Sequence, residues 1–165
     1  MLQLTLDYVP SEDRLLLKIG LGDQEARFWL TRRAVKALWR ALGQASLQLV
    51  TREHWPESAR IEASEMQRQA AVQGLDFGTK YNTERKPVWD EGSVLASGME
   101  VIANGAGTLM FRLHGANGRY TELPMDANLH AGLTELLRKA VTQSDWDISL
   151  DVRPSNMEAP SGGVH

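Results

Sequence analysis

With 165 residues, 42% hydrophobic and 24% charged, the chain has the length and make-up of a single globular domain able to bury its own core. Its 18 basic and 21 acidic residues leave a formal charge of −3, which excludes a general attraction to nucleic acid or anionic membrane and confines any such contact to a local patch. The absence of cysteine excludes disulfides, thiolate metal sites and cysteine nucleophiles.

The first segment, "MLQLTLDYVP", alternates Leu4 and Leu6 as a strand does and lacks the basic and apolar regions of a leader. No run approaches the roughly 18 apolar residues of a spanning helix, so a cytoplasmic protein without a membrane partner is expected. A second strand over Leu15, Leu16, Leu17, Lys18 and Ile19 enters a tight turn at Gly22-Asp23, and a third carries Phe28 and Leu30. Thr31 is placed to cap a helix, in which Val35, Leu38, Leu42, Ala45 and Leu49 recur at three- and four-residue spacing through Gly43 to near Arg52. "HWPES" breaks that helix. Pro56 and Glu57 then open another, ending at Gly74, with a thin apolar stripe of Ala59, Ala63, Met66 and Ala70. "LDFGTKYNTERKPVWDEG" follows with neither period, and reads as a long loop.

Beyond the loop the first pattern returns. Leu109, Met110, Phe111, Arg112 and Leu113 match the second strand apolar for apolar and basic for basic, at a constant offset. Asn117-Gly118 supplies the turn, one residue longer, and Asp126 stands at the position of the Thr31 cap. Leu123, Met125, Leu129, Leu133, Leu136 and Leu137 then fall on Phe28, Leu30, Ala34, Leu38, Ala41 and Leu42, while Met99 and Val101 fall on Leu4 and Leu6. The expected fold class is α+β: two related strand-strand-strand-helix units, antiparallel meanders forming an internal pseudo-repeat, with an extra helix and a long loop between them. A single domain is expected over residues 1–153, with unit one about 1–50, the helical and loop excursion about 51–93, and unit two about 94–153. Trp146, Ile148, Leu150 and Val152 alternate as a last strand, and residues 154–165 read as a flexible tail.

The sequence offers no catalytic constellation. His54, His114, His130 and His165 have no metal-ligand spacing, and there is no G-x-S-x-G. Gly20-Leu21-Gly22 and Gly105-Ala106-Gly107 lead into strands rather than helices, so they are hairpin glycines rather than phosphate loops. The carboxylates of "SEDR" and "WDEG" lie where turns ordinarily place them. No cofactor, metal or catalytic residue is expected.

Two groups of residues are candidate contacts. Arg32, Arg33, Lys36 and Arg40 cluster on the first helix, opposite its apolar stripe, a pattern that an ordinary solvated face also shows. Lys80, Tyr81, Arg85, Lys86 and Trp89 mix bases with aromatics in the loop, as single-strand binders do. Of the five tryptophans, Trp29 and Trp146 sit in strand patterns suited to packing, and only Trp89 and Trp55, in or beside loops, are candidate contact residues.

The segments "DRLLLKI" and "RFWLTRR" resemble the N-terminal signature of an uncharacterised proteobacterial family, whose members share a short strand pair followed by a W-L-T-R-R segment. The resemblance covers about the first third of the chain, implies a bacterial protein and brings no activity with it. In topology, a duplicated three-strand-plus-helix unit is similar to the single-strand-binding Whirly and PC4-like folds, with no sequence motif of theirs matched. The expectation is a small non-catalytic protein, an adaptor or accessory subunit with a protein partner. The alternative is a single-stranded DNA or RNA binder using the basic helix face and the aromatic loop. Exposed strand edges add self-association to the expected partners.

Overall fold

The computed structural model describes residues 2–49, 80–103 and 109–150. Three strands come first, β1 (Leu2–Val9), β2 (Arg14–Leu21) and β3 (Gln24–Leu30), followed by helix α1 (Arg32–Leu49). The two-residue β4 (Lys86–Pro87) precedes β5 (Ser93–Ala103), β6 (Leu109–Gly115), β7 (Tyr120–Met125) and helix α2 (Ala127–Gln143). The strands form one seven-stranded sheet in the order β1-β2-β3-β5-β6-β7, with β4 beside β3, so the fold is mixed α+β.

Local chemistry sets the elements. The β2–β3 turn passes through Gly22 at φ +58 and the β6–β7 turn through Gly118 at φ +79, a backbone region that glycine enters without steric cost. Asn117 steadies the second turn by accepting from Arg119 N at 3.1 Å. At the start of α1, Thr31 Oγ1 accepts from Ala34 N at 3.2 Å, and at the start of α2 the Asp126 carboxylate accepts from Leu129 N at 2.7 Å. Each bond satisfies a backbone donor that the helix itself cannot.

Within each meander the pairing is antiparallel, and alternation divides the sheet into two faces. The inner face is read along the row Leu6, Leu17, Phe28 and Val94, each opposite the next. These side chains join Val35, Leu38, Leu42 and Ala45 of α1 and Leu133, Leu137, Ala140 and Val141 of α2 in one buried cluster. The helices are exchanged: α1 packs on β5 and β3, α2 packs on β1 and β7, and they meet each other. His130, buried on α2, bonds through Nε2 to the Leu42 carbonyl at 2.7 Å, so it is a core histidine joining the two helices.

Three features were not legible in the sequence. The meanders meet through a parallel pairing, Arg27 to Trp29 against Ser93 to Leu95, a junction for which the sequence reading set no strand order. A long crossover through α1 separates β3 from β5, and such a connection permits parallel neighbours. β5 serves both meanders, pairing with β3 over Ser93 to Leu95 and with β6 from Ala96 onward, with an irregularity in the second ladder between Ala96 and Gly98. After α2, Trp146 is buried while Ile148 and Leu150 are half-buried, so the alternation is present, yet no ladder forms there. Ile148 N instead bonds back to Trp146 O at 2.9 Å. Periodicity reports which side chains point inward, not whether a neighbouring strand is free to pair. The expected middle helix, the glycines at 105 and 107, His54, Trp55, Val152 and the tail lie outside the described residues. Among the described residues, no helix is long and apolar enough to cross a membrane.

Removal of either cap tests this account of the helices. Thr31→Ala and Asp126→Ala should each cost about 1 kcal/mol, with the carboxylate the larger effect because its bond is shorter and charge-assisted. Urea denaturation should show lower midpoints with unchanged slopes.

Candidate functional site

The segment 80–92 is a strap across the outer face of the first meander. Gln3 holds its start, donating to Lys80 O at 3.3 Å and accepting from Asn82 N at 3.3 Å. Arg85 Nε donates to Gly22 O at 2.8 Å, Lys86 N to Asp23 O at 3.0 Å and Val88 N to Glu25 O at 2.9 Å. The strap ends by turning Trp89 into the core, 5% exposed, where its ring meets Phe28 edge-on at 5.2 Å. Two of the five loop contacts read from the sequence are therefore corrected. Trp89 and Arg85 are buried, and a buried ring offers no surface for a base. Lys80 and Lys86 are exposed; Tyr81 is half-buried and engaged by the sheet.

Its partner is Glu25, only 2% exposed although it sits on the outer face, because the strap covers it. The carboxylate accepts from the Tyr81 hydroxyl and from Arg27 Nε. Burial pushes Glu25 up, but those bonds and the Arg27 charge outweigh it and hold the group below its ordinary value. Tyr81 is pushed up to about 12 by burial and by the Glu25 carboxylate. The Arg85 guanidinium lies 5.0 Å over the Tyr81 ring and against the backbone of Gly20. A Cβ at position 20 would stand 2.4 Å from Arg85 Nη1, so the close approach requires glycine. Beside the strap, a polar cleft has Asp23 and Glu84 set among Arg85 and Lys86, a mixed lining that selects no ligand charge.

A second cluster is built on Asp13, which closes the β1–β2 turn at φ +49. Its carboxylate accepts from Trp146 Nε1 at 2.6 Å, Tyr8 OH at 3.0 Å and Arg32 Nη2 at 2.9 Å. The Arg32 guanidinium also lies 5.4 Å over the Trp146 ring, which meets Tyr8 edge-on at 6.0 Å. The Trp146 bond first, then that from Arg32, holds Asp13 below its ordinary value. The basic group of α1 is thereby divided. Arg32 is engaged in a structural cluster, while Arg33, Lys36 and Arg40 are exposed and take part in none of the ion pairs among the described residues.

The outer face also holds a surface that the sequence reading missed. Leu16, Trp29 and Leu95 stand in one row across β2, β3 and β5, pointing away from the core; Leu95 is 37% exposed and the other two are half-buried. The signal was available, since Trp29 is out of phase with Phe28 and Leu30. On the second meander Arg112 bonds Glu122 at 2.7 Å, approaches Glu100 at 3.6 Å and lies 4.9 Å over Tyr120, itself 53% exposed. His114 meets Glu100 at 3.2 Å. Among the described residues, no group of three or more histidine or acidic side chains is placed to hold a metal ion.

Two measurements check these clusters. Gly20→Ala should displace the Arg85 guanidinium at a cost of about 1 kcal/mol or less, since the end of a flexible side chain can give way, and should cost nothing once Arg85 is already alanine. Asp13 and Glu25 both have lowered values, so each contributes stability that is present above its ordinary value, 3.8 and 4.5 respectively, and is lost as pH falls towards its folded value. Stability followed by denaturation should therefore decline on the acid side of those values, and the decline should be shallower in Asp13→Asn.

No protein-family model, curated protein or solved structure matches the chain.

Proposed function

We propose that the chain is a non-catalytic protein-binding module, an adaptor or accessory subunit, that takes its partner on the open face of the sheet. The observation that carries this reading is the row Leu16, Trp29 and Leu95. Both helices bury their apolar stripes against the inner face, and the side chains of this row take no part in that core. A tryptophan between two leucines, with Asp7 at one end of the row and Lys18 and Arg27 in the next, has the apolar centre and polar rim of an interface. The cover over the Glu25 end of this face is the strap itself, which leaves the row beside it for a partner.

We also infer that the two strand-strand-strand-helix units descend from one duplicated unit. Supporting this are a positive-φ glycine in each of the two hairpin turns, Gly22 and Gly118, the equivalent caps Thr31 and Asp126, and the packing of each helix on the first strand of the other unit.

The test is capture from nuclease-treated host lysate by the tagged protein and by its Trp29→Ala and Leu95→Arg variants. Both variants should keep their unfolding midpoints, because these side chains lie outside the core. A protein retained by the parent should bind the variants about 30-fold more weakly, the size of a 2 kcal/mol hot spot. Equal retention by all three would overturn the assignment of this face.

A further inference from the structure

We infer that α1 carries a second, independent contact surface, a cationic stripe that takes the phosphodiester backbone of nucleic acid without regard to sequence. The helix has four basic residues and no acidic one. Arg32 is held by Asp13, which leaves Arg33, Lys36 and Arg40. Their spacing places them along one stripe about 10 Å long, and all three are exposed. The opposite stripe, Val35, Leu38, Leu42 and Ala45, is fully buried or nearly so, which fixes the rotation of the helix and keeps the charges outward.

The setting gives the stripe its meaning. Among the described residues, Arg27 is matched by Glu25, Arg112 by Glu122 and Glu100, and Arg138 by Glu135, while Arg14, Lys18, Lys80, Lys86 and Arg119 form no ion pair either, so what distinguishes α1 is the grouping of three such cations within two turns of a helix that carries no acidic residue. Three cations without an ion pair among the described residues, on one helix face of a chain with net charge −3, reverse the sign of the potential locally. A stripe of this length outspans a single small anion and fits a polymer. Between the cations the exposed positions are Ala37 and, one turn on, Gln44, neither of which can anchor a protein partner in a pocket. A polyphosphate needs no such anchor, because release of its condensed counterions drives binding by charge alone. With no exposed aromatic on the stripe, the contact reads charge and not bases.

The experiment is fluorescence anisotropy of a labelled oligothymidylate, with a mixed-sequence duplex alongside, titrated with the whole protein over a series of salt concentrations. Binding is expected at low salt with both probes, and for the single strand the logarithm of affinity should fall against the logarithm of salt with a slope of about −2, the value for three phosphate contacts. Replacement of Arg33, Lys36 and Arg40 together by glutamine should weaken low-salt binding by at least about tenfold and flatten that slope, with the far-ultraviolet circular dichroism unchanged. Trp29→Ala should bind the oligonucleotide as the parent does, which separates this surface from the one on the open sheet face. No binding at low salt, or equal binding by the triple variant, would overturn the inference. Competition by polyglutamate as effective as that by unlabelled oligonucleotide would also overturn it and reassign the stripe to an acidic protein segment.

Discussion

The seam between β3 and β5 is short, three residue pairs in parallel register, and the rest of the molecule depends on it. It sets Phe28 opposite Val94 on one face and Trp29 opposite Leu95 on the other. The first of these pairs makes the inner faces of two meanders continuous, so that both helices can share one core. A three-stranded meander with one helix buries little apolar surface by itself; two joined edge to edge, with exchanged helices, enclose enough to offset the conformational entropy of ordering them. The second pair extends the apolar row of the outer face across the same junction. A slip of one residue along this seam would transpose the two faces, moving Trp29 inward and Phe28 outward.

The strap makes the opposite kind of contribution. It covers a carboxylate, a phenol and two guanidinium groups with few apolar contacts, and it leaves Arg85 Nη1 buried without an acceptor. Burial of an ion pair contributes little net stability, because loss of hydration consumes most of the attraction. What such a network supplies is position. Glu25 can satisfy Tyr81 and Arg27 together only when residues 80–88 lie in their observed register beside β3. Trp89 then enters the core as the hydrophobic end of a segment that is otherwise fastened by polar bonds.

Much of this architecture was legible in the residues. Alternation located the strands, and the turn residues Gly22 and Asn117-Gly118 and the caps Thr31 and Asp126 act as their chemistry requires. These are local properties, fixed by a few neighbouring residues. The parallel seam was not legible, since pairing between segments more than 60 residues apart leaves no trace in either one alone. The same holds for the candidate surfaces. Lys80, Tyr81, Arg85, Lys86 and Trp89 look alike as a basic and aromatic run, and only the tertiary partners Glu25, Gly20 and Phe28 separate the buried members from the exposed ones. Arg32 was likewise grouped with Arg33, although Asp13 and Trp146 claim it from opposite ends of the chain.

That last contact has a mechanical side. Asp13 and Trp146 stand 133 residues apart in sequence, and the bond between them closes nearly the whole described chain into a ring without a covalent link. The first hairpin, the start of α1 and the segment leaving α2 share this one clasp. Tension applied to the segment after α2 is therefore delivered through the buried Trp146 to the opening turn of the sheet and to the hydrophobic interior together, so that neither is loaded alone.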